Sequence, residues 1–103
     1  MDNIDKNTQL FMYLVSSFEM AAMQGMGKIK NPVNDKVEIS LEQAQFAIDV
    51  LDMIKVKTKG NLIEYENRYI DNTLGQLKLN FIDVREKETA GQKEENKPEE
   101  ESK

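Results

Sequence analysis

A seven-residue pattern runs through the segment 63–84. Its members are separated by alternating steps of four and three residues, and they are Ile63, Asn67, Ile70, Leu74, Leu77, Phe81 and Val84. This spacing places them along one side of an α-helix and is typical of helices that pack on other helices. Asn67 is the polar member, and a buried Asn in such a row can fix the register of packing. The pattern predicts a helix over about residues 63–85.

Two earlier segments also show helical periodicity, which brings the predicted helices to three. They cover about residues 7–26 and 40–59. Ser40 and Gln43 fit a capping box, and Gly60 suits the left-handed position after a helix. Because a very short turn separates the second helix from the third, these two helices are expected to be antiparallel neighbours. The predicted fold is all-α, a three-helix bundle or helical hairpin.

The composition changes near residue 86. Residues 86–103 contain Ala90 as their one apolar residue, together with seven Glu and four Lys. Such a segment buries too little apolar surface to offset the entropy cost of ordering it. We therefore expect a helical domain over residues 1–85, followed by a disordered acidic tail that keeps the chain soluble or contacts a partner.

Missing residue types exclude several kinds of chemistry. The chain has no Cys, His or Trp, so disulfides, Cys/His zinc sites and Ser–His or Cys–His catalysis are excluded. Its net charge of -5 argues against a nucleic-acid partner. The longest apolar run, residues 10–15, is too short to span a membrane, and no signal peptide is evident. We expect a cytoplasmic, non-enzymatic protein without a cofactor.

The predicted helices carry more apolar surface than one chain of this size can bury. The side chains assigned to the core are Leu14, Phe18, Ala47, Leu51, Ile54, Leu74, Leu77 and Phe81. The apolar side chains left on the flanks are Met12, Met23, Phe46, Val50 and Met53. Because exposed apolar patches usually mark interfaces, we expect the chain to form a homodimer or higher oligomer and to contact a protein partner there. The alternative is that all helix faces pack within one chain.

Two groups of residues have side chains of types that bind metals. Asp49 and Asp52 form an i, i+3 carboxylate pair, but a di-metal bundle would add Glu-x-x-His motifs, and the chain has no His. Met20, Met23 and Met26 offer soft thioethers of the kind that bind Cu(I). A solvated helix face accounts for the carboxylates, and adaptable packing accounts for the methionines. We therefore expect no metal site.

The turn after the second helix is the alternative candidate for a binding site. Lys57 and Lys59 precede Gly60 and Asn61, so two cations lie just before a turn that leads into the third helix. This turn could hold a phosphate or another small anionic metabolite. However, anions favour helix N-termini, and capping of a helix C-terminus accounts for the same residues. An anion-binding module is thus the rival to a protein-contact function.

Several short fragments of the sequence, taken together, point to a resemblance. They are Asn31-Pro32, Ser40-Leu41-Glu42-Gln43-Ala44, Ile48-Asp49-Val50-Leu51 and Lys57-Thr58-Lys59-Gly60-Asn61-Leu62, with segments from Phe11 to Phe18 and from Leu77 to Phe81. Together they resemble, over about residues 8–84, a family of short bacterial proteins catalogued only as a domain of unknown function. The sequence departs from the family's Thr-Pro start to the third helix at Ile63 and Tyr65. The resemblance supports the helical fold and implies no established activity.

Overall fold

The computed structural model describes residues 5–101, with side chains as far as Gly91. Three helices make up this part of the chain: α1 (Lys6–Gly25), α2 (Leu41–Lys57) and α3 (Glu64–Glu101). The connection between α1 and α2 contains only isolated β-bridges, from Met26 to Ile39 and from Asn31 to Lys36. The expectation of an all-α fold with three packed helices is confirmed.

Helices α1 and α2 approach most closely where α1 ends. The Ser40 backbone N–H donates to the Gly25 carbonyl oxygen at 2.7 Å. A Cβ atom on Gly25 would lie 2.7 Å from the Ala44 backbone nitrogen and 2.8 Å from the Ser40 carbonyl oxygen. Only glycine fits here, because any side chain would collide with the backbone of α2. The close approach fixes α2 against the end of α1.

Helix α2 begins after the predicted cap, Ser40, but ends at Lys57, two residues before the predicted end at Lys59. The Ser40 hydroxyl accepts a hydrogen bond from the Gln43 backbone N–H at 3.2 Å, as an N-cap does. At the other end, the Thr58 hydroxyl donates to the Ile54 carbonyl oxygen at 2.7 Å. Gly60 follows with a φ of 82°, the left-handed conformation expected of it. The chain then turns directly into α3.

Ion pairs join α2 to α3 in antiparallel orientation. Lys55 Nζ lies 2.7 Å from Asp71 Oδ1, and Lys78 Nζ lies 3.0 Å from Asp52 Oδ1. The later residue of α2 pairs with the earlier residue of α3, so the two helices run in opposite directions as predicted. The lysines and aspartates are about half exposed, so each pair contributes little to stability. The ion pairs therefore show how α2 and α3 are oriented, but they are not the main interactions that hold the two helices together.

One apolar core lies between the three helices. Its largest fully buried side chains are Leu51, Ile70, Leu77 and Val15. The predicted core residues found buried are Ala47, Leu51, Ile54, Leu74, Leu77 and Phe81, and Phe18 packs on the edge of this core. The assignment of Leu14 is wrong, because its side chain is 42% exposed. Val15 takes the inward position, and the helix turn of about 100° per residue points Leu14 to the outer side.

Helix α3 extends beyond the end expected for it near residue 85. It continues to Glu101 without a break. Glu86, Lys87 and Glu88 have high helix propensity, which favours continuation of the helix past Arg85. From Arg85 to Gly91, the side chains are exposed apart from a half-buried Glu88. The disorder expected for 86–103 stays a prediction, and the side chains after Gly91 and the last two residues lie outside the description.

Candidate protein-contact surface

The predicted contact residues on α2 share one face of that helix. Phe46 is 65% exposed and Met53 is 47% exposed. Val50 lies between them and is partly buried against the edge of the core. A polar neighbour, Gln43, completes a row with steps of three, four and three residues. This row, Gln43, Phe46, Val50 and Met53, is the α2 stripe, and none of its residues is charged.

The predicted contact residues on α1 lie elsewhere. Met23 packs against the core, and Met12 is half-buried. Met23 is two residues beyond Ala21, which places it about 200° around the helix from Ala21. Because Ala21 contacts α2 on the side of the α2 stripe, the two methionines face away from Phe46, Val50 and Met53. The structure therefore brings together the three residues of α2 and does not bring Met12 or Met23 to them.

A second exposed row on α1 matches the α2 stripe. Its members have steps of four, three and four residues and are Leu10, Leu14, Ser17 and Ala21. Leu10 is 54% exposed and Leu14 is 42% exposed. This row is the α1 stripe, and it also contains no charged residue. Leu10, Leu14 and Ser17 are exposed on the side away from buried Thr8, Val15 and Ala22, whereas Ala21 is partly buried and packs against the edge of the core.

A hydrogen bond joins the two stripes into one surface. The side-chain nitrogen of Gln43 donates to the carbonyl oxygen of Ala21 at 3.0 Å. The end of α1 contacts the start of α2 at Gly25 and Ser40, and the start of α1 lines a common pocket with Thr58 at the end of α2, so these helices are antiparallel. Seven residues along each helix from the Gln43–Ala21 contact therefore bring Leu14 approximately level with Val50. The α1 stripe and the α2 stripe therefore flank the same groove. We call these eight residues the outer face.

Helix α3 leaves the α2 stripe uncovered, whereas Leu10 and Leu14 of the α1 stripe line a groove together with Ile63 and with Glu66 of α3. Asp52, which pairs with Lys78 of α3, is two residues beyond Val50 and lies about 200° around α2 from it. Ile48, which is buried in the core, also faces away from the stripe. In this chain, where 32% of residues are charged, an uncharged surface that spans two helices is an unusual feature. Such a surface is suited to contact another protein.

Sequence reasoning missed the contribution of α1 to this surface. It placed Leu14 in the core because size and hydropathy favour burial of Leu. The signal that identifies the inward side is the row Thr8, Val15 and Ala22, whose members are seven residues apart and buried. Large residues also contribute to the inward side, because Met26 is buried and Phe11 and Phe18 pack against the core. The seven-residue spacing of this row, and not residue size or hydropathy, therefore identifies the inward side.

The Lys57–Asn61 turn lies at one end of the molecule. The side chains of Lys57 and Lys59 are exposed, and a Cβ on Gly60 would meet no atom within 4 Å. The backbone N–H of Asn61 donates to the Thr58 carbonyl oxygen at 2.8 Å, so it is already paired within the turn. The structure therefore does not bring the two lysines and the turn backbone together around a common point. Anion binding by these residues stays a prediction.

A groove of about 600 Å³ opens beside this turn, between the starts of α1 and α3. Two carboxylates line it, and each caps a helix: Asp5 accepts from the Thr8 N–H at 2.8 Å, and Glu66 accepts from the Ile63 N–H at 3.0 Å. These negative charges disfavour an anion in the groove. Leu10, which belongs to the outer face, forms part of the wall. The groove therefore adjoins the uncharged outer face at Leu10 and Leu14 but is not part of it.

The residues that could bind metals have other partners or point in different directions. Asp49 accepts a hydrogen bond from Gln45, and Asp52 pairs with Lys78. Met26 is buried, whereas Met20 is 58% exposed, so these thioethers do not converge. Among the described residues, no group of three or more Asp and Glu side chains could hold a metal ion. No helix in this part of the chain is long and apolar enough to cross a membrane.

Comparison with known proteins gives one match. The model of a domain of unknown function, DUF1844, matches residues 8–83. No curated protein and no solved structure matches the chain. The matched region begins in α1, contains the whole outer face and ends within α3 before its exposed distal part. The resemblance seen in the sequence is thus confirmed, and the chain belongs to the DUF1844 family.

Proposed function

We propose that this protein is a non-enzymatic helical protein that self-associates and contacts protein partners through the outer face. The observation that carries this proposal is the exposure of Leu10, Phe46 and Met53 on one uncharged surface. Removal of such surface from water is favourable by about 25 cal/mol per Å² of apolar area. A partner on the outer face gains this free energy without burying an unpaired charge.

The size of the chain also supports self-association. A domain of about 100 residues buries a smaller fraction of its surface than a larger domain and is marginally stable alone. Oligomerisation is a common way in which small domains gain additional buried surface. The outer face offers that surface on the two helices that pack most closely, which provide a rigid platform. Rigid platforms bind with a smaller loss of conformational entropy than mobile segments.

A charged residue in the outer face is expected to prevent self-association. Phe46→Glu places a carboxylate in the α2 stripe at an exposed position, so the fold of the single chain tolerates it. Val50→Asp acts in the same way at a partly buried position and tests the centre of the stripe. We expect light scattering to give an oligomer mass for the natural chain and a mass close to that of one chain for both variants.

Leu79→Glu is the matched control, because Leu79 is 72% exposed but lies on α3. This variant should keep the mass of the natural chain. Far-UV circular dichroism establishes that all variants remain helical. A natural chain that stays monomeric at millimolar concentration contradicts the proposal. An oligomer that Leu79→Glu dissociates, and that Phe46→Glu does not, also contradicts it.

A further inference from the structure

We infer that the outer face binds a second copy of itself, with α1 antiparallel to α1 and α2 antiparallel to α2 of that copy. The four helices would form a bundle around a twofold axis, and each α3 would lie on its outside. This inference rests on the proposed function and specifies the occupant and orientation of the contact. Three features support it: the sizes of the residues in the α1 stripe, the axial register of the two stripes, and the charges on α2.

Residue sizes in the α1 stripe are complementary under reversal. The stripe begins with two large residues, Leu10 and Leu14, and ends with two small ones, Ser17 and Ala21. An antiparallel second copy places Leu14 opposite Ser17 and Leu10 opposite Ala21. Large side chains then meet small ones, which permits close packing. Parallel pairing would instead place leucine on leucine and leave a gap between the two serines.

The α2 stripe is compatible with the same axis. Its midpoint lies between Phe46 and Val50, whereas that of the α1 stripe lies between Leu14 and Ser17. The hydrogen bond from Gln43 to Ala21 fixes the relative level of the two helices. By that register the two midpoints agree to within about one residue, or about 1.5 Å. One twofold axis can therefore relate both stripes at once, with Phe46 of each copy opposite Val50 of the other.

Charge on α2 favours the same orientation. The first turn of α2 contains Glu42, and its last turn contains Lys57, which lies four residues beyond Met53 on the same side of the helix. Lys55 faces α3, where it pairs with Asp71. Antiparallel pairing puts the basic end of each α2 beside the acidic end of the other, and it also opposes the two helix dipoles favourably. Parallel pairing would put like charges together at both ends. A different protein as the occupant would need none of these symmetric features.

Single cysteines test the orientation, because the natural chain contains no Cys. In the antiparallel arrangement, the two copies of residue 17 are offset along the helix by about 4.5 Å, and those of residue 21 by about 16 Å. Treatment of Ser17→Cys with a short bismaleimide should therefore give a band of twice the chain mass on a denaturing gel. Ala21→Cys should give no such band alone but should give it when mixed with Leu10→Cys.

Gln76→Cys, at an exposed position of α3, gives the background from random collision. The inference is supported if Ser17→Cys cross-links with itself above this background and Ala21→Cys alone does not. Cross-linking of both variants with themselves overturns it in favour of parallel pairing. If neither cross-links while the natural chain is an oligomer that Phe46→Glu dissociates, the orientation is wrong and the proposed function stands. A monomeric natural chain overturns both.

Discussion

Replacement of Gly25 by alanine should lower the free energy of unfolding by about 1–3 kcal/mol, the range typical of overpacking in a close-packed interior. The added methyl group would lie 2.7 Å from the Ala44 nitrogen and 2.8 Å from the Ser40 carbonyl oxygen. Both obstructing atoms belong to the backbone, so α1 and α2 must separate to admit it. Separation also weakens the bond from the Ser40 N–H to the Gly25 carbonyl. Urea denaturation followed by circular dichroism measures the loss.

Gly75→Ala is the matched control for this prediction. Gly75 lies within α3, and a Cβ there would meet no atom within 4 Å. The same substitution should therefore raise the free energy of unfolding by about 1 kcal/mol, the helix-propensity difference between the two residues. Opposite signs for one chemical change would locate the cause at the α1–α2 contact. Gly25→Ala with unchanged or raised stability would contradict that contact.

Leu51→Ala should lower the free energy of unfolding by about 2–5 kcal/mol, as expected for a leucine truncated in a core. Leu51 is fully buried between the three helices, so the change removes apolar contacts and leaves a cavity. The loss should be the same at every protein concentration, because the cavity lies inside each chain. Thermal or chemical denaturation at two concentrations measures it.

Phe46→Ala is compared with Leu51→Ala, because it removes a larger side chain but from an exposed position. Its cost should be small at low protein concentration, where the chain is dissociated. It should grow with concentration, because the natural chain gains stability from association and the variant gains less. A loss for Phe46→Ala that equals that of Leu51→Ala in dilute solution would mean that Phe46 is a core residue.

Local signals in the sequence predicted much of the fold. Ser40 caps α2 and Gly60 takes a positive φ, because these residue types have few alternatives at those positions. The predicted row is buried from Ile70 to Val84, but its first two members, Ile63 and Asn67, are exposed, so Asn67 does not take the buried position considered for it. The confirmed features depend on neighbouring residues, so periodicity and capping rules are sufficient for them.

Features that depend on contacts between helices were less predictable. Leu14 and Val15 are both apolar, and the closeness of α1 and α2 decides which of them is buried. On α2, Phe46 and Met53 are exposed as their place beside the core stripe predicts, and their contact with a partner stays a prediction. On α1 the exposed row was missed, because Leu14 was assigned to the core and Val15 takes that position instead. The end of α3 was placed near Arg85 because the apolar row stops at Val84, whereas the helix continues through the polar residues that follow.

The close contact at Gly25 has a consequence for how this protein can change. A steric conflict between two side chains can be relieved by trimming either one, so such positions can vary together. At Gly25 the opposing atoms are main-chain atoms of Ser40 and Ala44, which every amino acid carries. No second-site suppressor at those two positions can make room for a larger residue, so a chain that mutates there has only reversion as a direct repair.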